Sequence, residues 1–173
     1  MFNKKIEVFF KKHNLWNKEM FSYIYSISNE VDYYDKNINF AVGCPPKVNN
    51  HTGKIEGFQL TIPYCVDEIT TMIAVHEIAH AIYWYKKIGQ TYDEIQEELF
   101  PMIVERLYVE ENKTSTLESY EKFLDSTIDS KEDSSYSFAL VNRESFMKTN
   151  LDDFKLFDKS ARKLARKWRR KNR

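Results

Sequence analysis

Apolar residues recur at helical spacing from the start of the chain: Ile6, Phe9 and Phe10, then Leu15, Trp16, Met20, Phe21 and Ile24. The pattern predicts one or two amphipathic helices within residues 1–30, broken near His13-Asn14. From Asp32 the period changes. Ile38-Asn39-Phe40-Ala41-Val42 alternates as a strand does, and Gly43-Cys44-Pro45-Pro46 is expected to end it. Ile55 to Ile62 alternates Phe58, Leu60 and Ile62 against Gln59 and Thr61, a second strand that Pro63 stops. Asn49-Asn50-His51-Thr52-Gly53-Lys54 between them is a turn sequence, so Lys47-Val48 and Ile55 are expected to close a hairpin.

The longest apolar stretch runs from Ile69 to Tyr85 without Gly or Pro, and predicts a buried helix. Asp67-Glu68 suit its first turn, Lys86 and Lys87 its last, and Gly89 its C-terminal cap. Thr91-Tyr92-Asp93-Glu94 then has the form of a capping box, so a second helix is expected at once and an antiparallel helical hairpin with it. Ile95, Leu99, Met102 and Ile103 define the buried stripe of that helix, and Pro101 is expected to kink or break it near Phe100. Residues 112–136 are polar and read as loops or a lid around a short helical piece at Leu117–Leu124. Ser137 to Met147 reads as another helix. In the tail, Phe157, Ala161, Leu164, Ala165 and Trp168 share one face, with Arg162, Lys163, Arg166, Lys167, Arg169 and Arg170 around it. The fold class expected is α+β and mostly helical: a compact domain over residues 1–150, with a small β-sheet at about residues 38–62 packed on the long helix, followed by a basic amphipathic helix over 151–173.

Composition narrows this picture in two ways. Hydrophobic residues make up 42 % and charged residues 30 % of the 173, as in folded domains rather than disordered ones. Lys+Arg and Asp+Glu balance at 26 each, so any attraction to an anionic partner must come from the basic tail rather than the whole chain. Such a partner, nucleic acid, acidic lipid or protein, competes with a simpler reading in which the tail docks by its apolar stripe and keeps a solvated basic rim. Charge interrupts the N-terminal apolar run too soon for a signal peptide, and no stretch reaches the length of a membrane span. Cys44 and Cys65 lie outside any C-x-x-C, so the expectation is a cytoplasmic protein with reduced cysteines.

The chemistry is concentrated in the long helix, at His76-Glu77-Ile78-Ala79-His80. Residues four apart share a helix face, so the two imidazoles point the same way and form a clamp for one Zn²⁺ per chain, with Glu77 beside them as a base for a metal-bound water. Chance produces the five-residue pattern in roughly one chain in a hundred of this length, but seldom inside a helix with buried flanks. Two histidines leave the metal short of a protein ligand. Counting back along an antiparallel partner helix reaches the level of Glu97 and Glu98, and 100° per residue puts Glu98 at the border of the buried stripe and Glu97 away from it. Glu98 is therefore the expected third ligand. Glu105, seven residues on, lies on the same edge and is expected to accept a hydrogen bond from a ligand histidine. The competing reading for both is a solvated acidic face. His13 and His51 are expected to be solvent-exposed, the latter in its turn. Residues 81–86 lack the glycine and third histidine of the three-histidine pattern.

His76-Glu77-Ile78-Ala79-His80 followed by a helical Glu98 resembles the gluzincin metallopeptidases. Glu98-Leu99-Phe100-Pro101-Met102-Ile103-Val104-Glu105 is similar to the ligand-bearing region of the thimet oligopeptidase and oligoendopeptidase F family, over about residues 66–111. The size and order of elements resemble the compact ImmA/IrrE group. The resemblance implies a zinc endo- or oligopeptidase acting on a peptide or protein substrate, with His76, His80 and Glu98 on the metal and Glu77 as general base. The strand Phe58–Ile62, taken as a sheet edge, would pair with an extended substrate, and Tyr108, Tyr120 and Tyr136 are candidates to stabilise the oxyanion. The alternative is a catalytically silent zincin-fold subunit of a larger assembly, contacting partners through the basic tail.

Overall fold

A long, largely apolar helix needs a start signal and a surface to bury it, and here both are local. Asp67 accepts hydrogen bonds from the backbone N–H (2.7 Å) and the hydroxyl (2.7 Å) of Thr70, and the Thr70 hydroxyl lies 3.1 Å from the Asp67 N–H. That reciprocal cap opens a helix over Glu68–Lys87, which ends where Gly89 takes a positive φ of 73°. In the computed structural model, residues 4–33, 43–62, 65, 67–128, 134–149 and 151–171 are described. They form seven helices and three strands in two compact units, Met1–Tyr92 and Asp93–Arg173.

In the first unit, α1 (Lys4–Lys12) and α2 (Lys18–Ile27) are broken at Asn14, whose φ is 54°, as the 1–30 pattern predicted. Ile6, Phe9, Phe10, Leu15, Met20, Phe21 and Ile24 are all buried. Three strands follow: β1 (Ser28–Tyr33), β2 (Gly43–Val48) and β3 (Ile55–Ile62). The hairpin is present, with Val48 opposite Ile55 and Lys47 opposite Gly57. Its turn is organised by Asn49, whose side-chain oxygen accepts from the N–H groups of His51 and Thr52 at 3.0 Å each, while Gly53 supplies a φ of 64°.

Two expectations about this sheet are corrected. Gly43 to Pro46 does not end a strand but begins β2, with an irregular register between Cys44 and Lys47 where the two prolines fall. The predicted strand Ile38–Val42 lies outside the described residues. The second correction concerns recognition. The sheet order is β1-β3-β2, so Ile55–Ile62 is the central strand, parallel to β1 and antiparallel to β2. Its backbone groups are engaged on both sides, and an added peptide must use the outer edge of β1 or β2; on β2, Pro45 and Pro46 contribute no N–H. The helix Glu68–Lys87, α3, packs on β3 and α2. Phe58, Leu60 and Ile62 face inward from the sheet, and Met72, Val75, Ile78 and Ile82 from the helix.

The second unit is all-helical. Thr91 does not cap a helix; it bridges to Lys54, and the capping side chain is Asp93, which accepts from Ile95 N–H at 3.3 Å at the head of a 3-10 turn, Glu94–Gln96. The helix proper, α4, spans Leu99–Asn112. Pro101 is its third residue, in the first turn where no backbone donor is needed, so it starts the helix instead of kinking it. The short helical piece expected at Leu117–Leu124 is present and longer: α5 runs from Ser115 to Thr127, capped by the Thr114 hydroxyl accepting from Leu117 N–H at 3.3 Å. Next come α6 (Ser135–Phe146) and α7 (Phe154–Lys171). Phe157 meets Phe100 of α4 at 5.5 Å between ring centroids and Phe146 of α6 at 5.3 Å, and Trp168 meets Phe138 at 6.0 Å. By these contacts the tail helix is part of the second unit. The protein is mostly helical with one small sheet, the α+β class its patterning predicted.

Candidate metal centre

The histidine pair takes its geometry from a chain of ring contacts that begins in the sheet. Phe58 on β3 lies 5.4 Å from Trp84, near the C-terminal end of α3. One turn back along the helix, the His80 ring is stacked on Trp84 at 5.1 Å with 28° between planes. One further turn back, His76 approaches His80 edge-on at 5.0 Å. Spacing of four residues aligns all three rings on one face, and the buried indole leaves His80 little rotational freedom. His80 is 5 % exposed and His76 intermediate, while Glu77 between them in sequence is 8 % exposed. Trp84 entered the sequence reading only as part of an apolar stretch. Its i+4 spacing from His80 was the signal that could have singled it out.

Glu98 precedes α4 at its N-cap position with helical φ and ψ of −82° and −19°, and is 4 % exposed. Its side chain does not cap the helix, and the site is one where the helix dipole favours a negative charge. One donor atom from each of His76, His80 and Glu98 falls within 4.8 Å of the others. Residues of these types, so grouped, could hold a metal ion. Two imidazoles and a carboxylate suit zinc, and among the described residues no fourth His, Cys, Asp or Glu joins them.

Of the other candidates, Glu97 is only partly buried and is not in this group. Glu105 is buried on α4 and also stands outside it. Its charge is felt on α5: burial first, and the Glu105 carboxylate second, push the Tyr120 phenol above its ordinary value, and the same carboxylate adds to burial in raising Glu121. Tyr120 is thereby held as a hydrogen-bond donor. Tyr108 is buried in α4 and Tyr136 exposed on α6. His51 is exposed in its turn, as expected, whereas His13 is half-buried with its ring 4.7 Å from that of Phe9. Cys65 is half-buried, with a hydrogen bond between its thiol and Thr71. Comparison with protein-family models, curated proteins and solved structures finds no match to this chain. No helix among the described residues is long and apolar enough to cross a membrane.

Proposed function

We propose that the protein is a zinc-dependent peptidase of the gluzincin type, with His76, His80 and Glu98 holding the metal. The observation that carries the reading is that His76, His80 and Glu98 each offer a donor atom within 4.8 Å of the others, with the two histidine rings lined up beside Trp84 on one face of α3. A zinc ion held by these residues would supply Lewis acidity, enough to activate a water near neutral pH. Glu77, buried and next to His76 in the sequence, would be the general base of such a site, accepting a proton from the attacking water and returning it to the leaving amine. His80, held against the indole, keeps its ring plane fixed while substrate exchanges. A site built only for structure would close its fourth position with another side chain and would have no use for Glu77.

The test separates metal binding from turnover. Purified protein reconstituted with zinc is expected to hold one ion per chain, and Glu98→Gln to lose it while Glu97→Gln does not. Glu77→Gln is expected to keep the zinc and lose hydrolysis of a peptide library. Stoichiometric zinc with no cleavage by wild type would leave a silent binding subunit. No zinc in wild type would remove the metal site and the peptidase together.

A further inference from the structure

The helix α7 carries nine Lys or Arg against the single carboxylate of Asp158, on a chain whose total charge is balanced. Two of these cations have an evident structural use. Arg162 bonds Asp158 at 2.8 Å, and Arg169 grips Asp93 through both of its terminal nitrogens. Of the other seven, Lys171 ends the helix, and Lys155, Lys159, Lys163, Arg166, Lys167 and Arg170 are exposed; among the described residues none of these six forms an ion pair. At 100° and 1.5 Å per residue they occupy an arc of about 120° and a length of about 22 Å.

Helix stability does not explain this row. Like charges three and four apart repel, and alternating signs would serve solubility as well. The macrodipole rewards cations only in the last turn, whereas Lys155 sits in the first and Lys159 follows one turn later. A membrane is a poor match, because a basic amphipathic helix binds lipid by inserting its apolar face. Here that face, Phe154, Phe157, Ala161 and Ala165, is buried, with Phe154 and Phe157 against Phe100. The cationic face also offers no aromatic ring on which a single-stranded base could stack. A regular row of cations on one helix face matches the phosphate-lined major groove of a DNA duplex, which at about 12 Å across admits a helix.

We infer that α7 is a docking surface for the phosphate backbone of double-stranded DNA, bound without regard to sequence. Six phosphate contacts give a slope of log K against log salt of about −5, and a loss of about a thousandfold in affinity between about 50 and 200 mM salt. The experiment is fluorescence anisotropy of the full chain with labelled DNA and RNA duplexes of about 20 base pairs. Replacing Lys155, Lys159 and Lys163 together by Gln is expected to flatten the slope by about 3. Replacing the exposed Lys113, Lys122 and Lys148 together by Gln changes net charge equally and is expected to leave the slope unchanged. All six are exposed, and unaltered circular dichroism of both variants ties any loss to the surface. Equal losses in the two variants, no DNA binding at low salt, tighter binding of the RNA duplex than of the DNA, or capture by phosphatidylserine vesicles in preference to the DNA would each overturn the assignment.

Discussion

Replacing Arg143 by Met cuts the buried charge network that ties α5 to its neighbours. Arg143 and Glu121 have side chains 8 % and 5 % exposed, with Nη1 3.7 Å from the carboxylate. Arg143 also bonds Asp125 at 2.6 Å, and Arg106 of α4 binds Glu121 from the other side. At 3.7 Å and an effective dielectric of about 20, the Arg143–Glu121 attraction is about 4.5 kcal/mol, most of it offset by desolvation of both charges. Removing one partner of a buried pair costs about 3–5 kcal/mol; because Glu121 keeps Arg106, we expect about 2–3 kcal/mol in urea unfolding, read by circular dichroism. The double variant with Glu121→Gln is expected to recover part of that, a coupling of about 1.5 kcal/mol. The pH dependence adds a second readout. Burial outweighs Arg106 and Arg143 and leaves Glu121 above the usual carboxylate range. A raised acid contributes stability that is fully present below its unfolded value near 4.3 and is lost as pH rises through the folded value. Without Arg143 the folded value climbs further, so the deficit of Arg143→Met is greatest at neutral pH and narrows toward pH ~4.3. A variant within ~0.5 kcal/mol of wild type, or strict additivity in the cycle, would refute the network.

Trp84→Ala is expected to cost about 3–5 kcal/mol as a core truncation and also to weaken zinc binding about tenfold, with Trp84→Phe restoring most of the affinity; chelator competition that finds no change in affinity would reduce Trp84 to packing alone. Asp93 is drawn below the usual carboxylate range: burial alone would raise it, but hydrogen bonds from Arg169 and Gln96 and the Arg169 charge prevail. Its contribution is therefore present above pH ~3.9 and lost as pH falls through the lower folded value, so Asp93→Asn should cost about 1 kcal/mol at pH 7 and the difference should vanish in strong acid. Burial, with a smaller push from the Asp67 charge and against a hydrogen bond to Thr71, raises the Cys65 thiol. In a Cys44→Ser background it is expected to alkylate more slowly at pH 7.5 than a free thiol, and equal rates would show the group to be accessible as thiolate.

What the chain's own pattern determined are the features that close over short distances. The 3.6-residue period located α1, α2, α3, α6 and α7, the alternation at Ile55–Ile62 located β3, and Asn49 to Gly53 located the hairpin turn, because caps, turns and amphipathic faces are local energies written in adjacent residues. That His76 and His80 share a helix face was legible for the same reason, since residues four apart on a helix need no tertiary information to do so. Long-range pairing decided the rest. That β3 is central and not an edge depends on β1, some thirty residues earlier, and parallel pairing leaves no signature in either strand alone. Pro101 reads as a breaker until the fold puts Asp93, not Thr91, at the cap and starts α4 at Leu99, which moves the proline into the one turn that tolerates it. The short helical piece at Leu117–Leu124 extends into α5, with Leu117 and Glu121 buried, the latter beside two arginines distant in sequence. Periodicity could draw the apolar stripe of α7, but only the rings of Phe100, Phe138 and Phe146 closing on it established that the stripe is occupied and the basic face is what remains outward.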